Sequence, residues 1–143
     1  MKFIRNTIAL MLVLFSFLSI RAQQNLVFQP EQPKPGETIR FKFNTSATTM
    51  FGVDKFDAYA YLLTNRQSPV IQELKLDRDG STYSGEIKTT DSTHAVFVRF
   101  VNPGNPDDNQ GEFYYTLMYD TDGKPTPGAI LAAGNAYANN GFT

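Results

Sequence analysis

Hydrophobic and polar residues alternate with a period of two in the segment 38–43. Ile39, Phe41 and Phe43 are separated there by threonine, arginine and lysine. A β-strand with one buried face fits this period, because successive side chains of a strand point to opposite faces. A corner rich in proline and glycine at 33–37 precedes the segment. The pattern therefore predicts a strand whose apolar face is covered by another layer.

Similar short segments recur along the chain between turn signals. Together with 38–43, the predicted strands are 26–28, 56–63, 70–76, 82–88, 94–101 and 111–119, and the main turns are 65–69, 77–80, 89–93, 102–110 and 120–124. In 94–101, Val96, Val98 and Phe100 share one face and Phe97 lies on the other, so both faces are expected to be partly covered. About seven short strands predict an all-β, antiparallel two-sheet sandwich of the immunoglobulin or fibronectin type III kind.

The pattern changes after Thr126, where a short C-terminal helix is predicted. Pro127 suits the first position of a helix, with Thr126 as its cap. The residues of its apolar stripe, at i, i+3, i+4 and i+7, are Ile130, Ala133, Gly134 and Tyr137. Because a lone short helix is marginal in water, it either packs on the sandwich or begins a further domain.

The first residues of the chain predict an export signal. Lys2 and Arg5 precede an apolar run at 8–20 that is too short to span a membrane, and Ala22 offers a small residue for cleavage. We therefore predict a signal peptide at 1–22, a sandwich domain at 23–126 and a helical segment at 127–143. The mature chain has no predicted transmembrane segment, and the expected location is periplasmic or secreted.

Charge and cysteine content narrow the classes of function. The full chain has a net charge of -1, and loss of Lys2, Arg5 and Arg21 with the signal leaves 10 basic against 14 acidic residues. This acidic balance argues against nucleic acid as a partner, because phosphate binding needs clustered cations. The chain contains no cysteine, so it can neither form disulfides nor carry out thiol-disulfide exchange.

The sequence predicts no catalytic residue and no cofactor. His94 is the only histidine and sits at a turn edge, with no sign of a nucleophile, a positioned base and an oxyanion site around it. The segment 120–123 resembles the start of a calcium loop but lacks the later acidic ligand, and it is better explained as a turn.

Two sets of residues are candidate binding sites. The loop residues Asp107, Asp108 and Glu112 offer oxygen ligands for a weak calcium site. The tyrosines Tyr59, Tyr61 and Tyr114 would stack on sugar rings if exposed, although alternating aromatic residues in a sandwich usually fill its core.

Two regions of the chain carry a resemblance to a known family. The segments 107–114, 117–120 and 123–129, with the opening 28–37, resemble the N-terminal β-sandwich of exported thioredoxin-like proteins of Gram-negative bacteria, over residues 25–140. In that family the sandwich is followed by helices and a thioredoxin-like domain with a Cys-x-x-Cys pair. Since this chain has no cysteine, the resemblance implies a non-catalytic module and transfers no active-site residue.

Two functions follow from these observations. The first is an exported accessory module that engages a protein partner, or a following domain of the same polypeptide, through sheet edges and loops. The alternative is a stand-alone module that binds carbohydrate or a surface through exposed aromatic residues. Burial of Tyr59, Tyr61 and Tyr114 would favour the first function, and an exposed row would favour the second.

Overall fold

A computed structural model describes residues 25–66, 68–107, 109 and 113–138. In these residues there are nine β-strands and one α-helix: β1 (Leu26–Gln29), β2 (Thr38–Asn44), β3 (Asp57–Leu63), β4 (Val70–Glu73), β5 (Asp77–Asp79), β6 (Thr82–Lys88), β7 (Ala95–Asn102), β8 (Asn105–Asp107), β9 (Tyr114–Leu117) and α1 (Ala129–Ala138). The predicted signal peptide at 1–22 lies outside the described residues.

The described strands form two antiparallel sheets. One sheet has the order β1-β2-β6-β5, and the other has the order β4-β3-β7-β8, with β9 also paired to β7. The sheets correspond to the A-B-E-D and C′-C-F-G orders of immunoglobulin-type domains, with β8 as an addition. The prediction of an antiparallel two-sheet sandwich is therefore confirmed.

The structure has more strands than the sequence predicted, for two reasons. The chain leaves the five-stranded sheet after Glu73 and enters the other sheet at Asp77. The predicted strand 70–76 is therefore shorter than expected, and the first three residues of the predicted turn 77–80 form β5. Gly80, with a left-handed φ of 60°, and Ser81 make the actual turn. In addition, the predicted loop 102–110 contains β8, which pairs with the end of β7.

Aromatic rings fill the space between the two sheets. Ile39, Phe41 and Phe43 of β2 are buried as predicted. The ring of Phe43 stacks on that of Phe100 from β7, with centroids 3.7 Å apart, and it meets Tyr114 edge-on. These contacts connect the two sheets directly. Because the chain has no cysteine, burial of this core is the main source of its stability.

Helix α1 packs on the outer face of the five-stranded sheet. Ala133 and Ala136 contact Ala95 and Phe97 of β7, and Tyr137 packs against the same group. Phe97 is thereby buried on the face opposite to the core, as the sequence predicted. Packing on the sandwich, one of the two alternatives for the helix, is therefore observed, and a further domain after it stays a prediction.

The structure corrects the predicted start of the helix and two of the four residues of its predicted stripe. Gly128 has a left-handed φ of 88°, so the helix begins at Ala129 and not at Pro127. The Thr126 hydroxyl has no hydrogen-bond partner, and the Thr126 carbonyl accepts from the Ala129 N–H. Ile130 is 68% exposed, and Gly134 is exposed as well. Ala133 and Tyr137 lie on the docked face as predicted, and Ala129 and Ala136 complete it. The small alanine side chains let the helix approach the ring of Phe97 closely.

Enlarging the docked face is expected to release the helix. In Ala133→Leu the longer side chain has no room against the sheet, and such overpacking typically costs about 1–3 kcal/mol. Hydrogen exchange of the amides at 129–138 should become faster, while β2, β6 and β7 keep their protection. Asn135→Leu adds the same side chain on the exposed face and is the control. Equal acceleration in both variants would contradict the docked arrangement.

Candidate binding surface

The outer face of the five-stranded sheet carries the candidate binding residues. Because Ala58, Ala60 and Leu62 of β3 are buried in the core, the residues between them face outward. Strand register places further side chains on the same face. The outward residues include Asp57, Tyr59, Tyr61 and Leu63 from β3, Ile71 and Glu73 from β4, Phe97 and Arg99 from β7, and Tyr115 from β9.

One half of this face is covered by α1. The rings of Phe97 and Tyr115 stack with centroids 5.1 Å apart, and Tyr137 of the helix meets both of them edge-on. Phe113 packs its ring against Phe97 and Tyr137 and has a left-handed φ of 53°. This half of the face is therefore used to hold the helix.

The other half of the face lies over β3 and β4 and has a different character. We call Asp57, Tyr59, Tyr61, Ile71 and Glu73 the acidic-aromatic patch. Tyr59 lies opposite Glu73, and Tyr61 lies opposite Ile71. The two tyrosines are half-buried, the two carboxylates are exposed, and Ile71 is 60% exposed. Tyr61 borders the covered half, since it also packs against the group under the helix.

The two carboxylates act on the phenol of Tyr59. Asp57 raises the pKa of Tyr59 most, followed by slight desolvation, Glu73 and Tyr61. A raised phenol pKa means that negative charge nearby disfavours the tyrosinate. Arg99 lies opposite Tyr59 on the β7 side, and its Nε is buried without a hydrogen-bond partner. Tyr59 therefore has a carboxylate of β3 and one of β4 near it, with Arg99 on the neighbouring strand β7.

Removing the first of these carboxylates is expected to lower the pKa of Tyr59. In Asp57→Asn the pKa of Tyr59 should move back toward the ordinary value of about 10. NMR titration of a ring carbon of Tyr59 measures this pKa. The folded state holds the proton more tightly than the unfolded state, so stability falls as pH rises through the window above the ordinary value. In Asp57→Asn this loss of stability with rising pH should be smaller. Asp79→Asn on β5 is the control, and an equal effect there would contradict the assignment.

The structure separates the three candidate tyrosines. Tyr59 and Tyr61 lie on the outer face, whereas Tyr114 is buried in the core with its ring edge-on to both Phe43 and Phe100. The hydroxyl of Tyr114 donates to Oδ1 of Asp107 at 3.2 Å. Only the pair on β3 is thus placed where a ligand could reach it.

The candidate calcium loop is described in part. Asp107 is 4% exposed, and its Oδ1 also accepts from the Asn109 N–H at 2.9 Å. Its Oδ2 is buried without a hydrogen-bond partner. Asp108 and Glu112 lie outside the described residues, and within the described ranges no three acidic or histidine side chains gather around a metal position. The calcium site stays a prediction.

His94 lies at the turn edge, immediately before β7. Its Nε2 is 2.7 Å from Oδ1 of Asn65, and its backbone N–H donates to the carbonyl of Leu63. A Cβ on Gly128 would lie 3.4 Å from the imidazole ring, so the ring packs beside the turn that leads into α1. These contacts join the turn after β3 to the turn that leads into α1, at one end of the sheet.

Comparison with known proteins adds no assignment to this surface. No protein-family model matches the chain, and no curated protein matches it significantly. In the part of the chain that the structure describes, no helix has the length and apolar character needed to cross a membrane. The function is therefore inferred from the surface itself and from the sequence.

Proposed function

We propose that this protein is an exported, non-catalytic β-sandwich module that binds a partner protein through its acidic-aromatic patch. The observation that supports this most is the juxtaposition of Tyr59, the exposed side chain of Ile71 and two carboxylates on one open sheet face. Tyrosine is enriched at protein interfaces, and contiguous exposed apolar surface with a polar rim, such as the neighbouring Val70 and Ile71, is typical of one.

Export and association with a thioredoxin-like domain are supported by the sequence. The residues at 1–22 have the order of a signal peptide, and the segments at 28–37 and 107–129 resemble the sandwich of exported thioredoxin-like proteins. A following domain of the same polypeptide is accordingly one partner that the proposal includes. The absence of cysteine assigns any thiol chemistry to that partner.

Carbohydrate binding is the second candidate function. Tyr59 and Tyr61 lie two residues apart on one strand face and keep part of their rings exposed. Burial of Tyr114 shortens the aromatic row to these two residues, which favours the protein partner. If the protein binds a soluble oligosaccharide saturably and Tyr59→Ala abolishes this binding, the second function is favoured.

Photo-crosslinking in the native cell tests the proposed function. A photoreactive residue is placed at position 71 of the full chain, and a matched one at position 79 on β5, which is an exposed strand of the other sheet. We expect a defined protein adduct from position 71 that is missing from position 79. The same products from both positions, or none from position 71, would contradict the proposal.

A further inference from the structure

We propose that β4 accepts an extended segment of a basic partner protein as an additional antiparallel strand of the five-stranded sheet. The proposal depends on the proposed function and defines its partner more closely. The added strand would place an apolar side chain beside Ile71 and a cationic one beside Glu73.

The main-chain groups of β4 are arranged for such an addition. β4 pairs with β3 and forms the end of its sheet within the described residues. The Leu74 N–H donates to the Ala58 carbonyl, so the alternation of an antiparallel ladder turns the main-chain groups of Gln72 toward β3. The N–H and C=O groups of Ile71 and Glu73 then point to the free edge, while their side chains lie on the outer face.

The other edge strands are protected in ways that β4 is not. β5 consists of Asp77, Arg78 and Asp79, all exposed, and such charges discourage pairing. β1 is followed directly by Pro30, and α1 packs beside β9 at the far edge of the five-stranded sheet. β4 instead exposes 44% of Val70 and 60% of Ile71. Unprotected apolar edges of this kind are typical of strand addition.

The charge of the patch selects the chemistry of the partner. Glu73 lies at the free edge, and the Tyr59 ring lies opposite it on β3, so a lysine or arginine added opposite Glu73 would meet a carboxylate beside an aromatic ring. Arg99 lies on β7, two strands from the free edge, which is about 10 Å. A second copy of this chain would bring two acidic patches together at the same junction, which like charges disfavour. A basic segment is therefore the occupant that the surface fits best.

A designed peptide is the probe for this proposal. The peptide Thr-Lys-Thr-Val-Thr-Lys-Thr-Val-Thr presents lysine and valine on one face, and it is titrated into the full chain at low salt. Two controls share its length: one has glutamate in place of lysine, and one is N-methylated at each lysine and valine, which removes the donors that face β4. We expect each control to bind about tenfold more weakly or worse.

Charge reversal on the protein completes the test. Glu73→Lys should transfer the preference from the lysine peptide to the glutamate peptide, whereas Asp79→Lys makes the same change of charge on β5 and should leave the preference intact. Equal binding of the N-methylated peptide would overturn strand addition. An equal effect of Asp79→Lys would reduce the interaction to general attraction between opposite charges and would also overturn the proposal.

The outcomes separate this inference from the proposed function. A specific adduct at position 71, together with equal binding of the lysine peptide and its two controls, would refute strand addition. It would still support the proposed interaction module. Self-association that Ile71→Lys abolishes would assign the β4 edge to a second copy and refute the basic partner. Loss of the adduct itself would refute both proposals.

Discussion

Phe43→Ala is expected to lower the free energy of unfolding by about 3–5 kcal/mol. Phe43 is fully buried, stacks on Phe100 and meets Phe56 and Tyr114 edge-on, so truncation leaves a cavity between the two sheets. Urea denaturation followed by circular dichroism measures the change. Phe51→Ala removes the same ring from a site that is 65% exposed, and it should cost within about 0.5 kcal/mol. Similar losses in the two variants would contradict the position of the core.

Gly85→Ala is expected to destabilise the sandwich by about 1–3 kcal/mol or more, although it adds a single methyl group. Gly85 lies opposite Phe41, and a Cβ there would be 2.7 Å from the Phe41 ring and 2.7 Å from the Lys75 carbonyl oxygen. Neither the backbone oxygen nor the fully packed ring can move away from the added methyl group without destabilising the fold. The glycine is therefore required by close approach where the chain crosses between the sheets.

Gly134→Ala is the matched control for that variant. Gly134 lies inside α1, and a Cβ there would meet no atom within 4 Å. Alanine in a helix interior is more favourable than glycine, so this change should stabilise the protein by up to about 1 kcal/mol. Opposite signs in the two variants, measured by the same denaturation, are the expected result. A neutral Gly85→Ala would contradict the packing described for β6.

The strands at the centre of the sheets were predictable from the sequence. In β2, buried Ile39, Phe41 and Phe43 alternate with charged residues, and a slip of one residue would expose all three. In β7, apolar residues at consecutive positions indicated that both faces are covered, and the core and α1 cover them. Periodicity identified these strands because a buried strand face must consist of apolar side chains, which then recur at every second position.

The edge strands and the helix face were harder to predict. The side chains of β5 are all charged and exposed, so pairing with β6 leaves no hydrophobic signal in the sequence. Ala133 and Tyr137 of the predicted stripe do lie on the docked face of α1, but the less hydrophobic Ala129 and Ala136 complete that face, and Ile130 is exposed. Hydrophobicity therefore placed Ile130 on the docked face wrongly, because the space available over Phe97 decides which side chains dock.

The sequence identified part of the candidate surface. Alternation along β3 singled out Tyr59 and Tyr61, but their partners Ile71 and Glu73 were missed. A signal was present, since the alternation fails between Glu73 and Leu74, where the chain leaves one sheet for the other. Asp107 was selected as a calcium ligand, and its observed contact is with the buried hydroxyl of Tyr114. Contacts between distant segments cannot be read from spacing alone.

The two faces of the five-stranded sheet differ in role: the inner face packs in the core, and the outer face is the proposed binding surface. The inner face supplies Ala58, Ala60 and Leu62 to the core, and the outer face presents the acidic-aromatic patch. A rigid sheet holds the tyrosines and carboxylates in fixed positions, which reduces the entropy cost of binding. Substitutions in the patch should therefore change binding with little effect on folding.

Mapping of amide chemical shifts tests this account most directly. The isotopically labelled chain is titrated with the partner captured at position 71, and the NMR shifts of the backbone amides are followed. The account predicts that the perturbed residues lie in β3, β4 and the adjoining part of β7, with β1, β2, β5 and β6 unchanged. Largest shifts in the four-stranded sheet would contradict it.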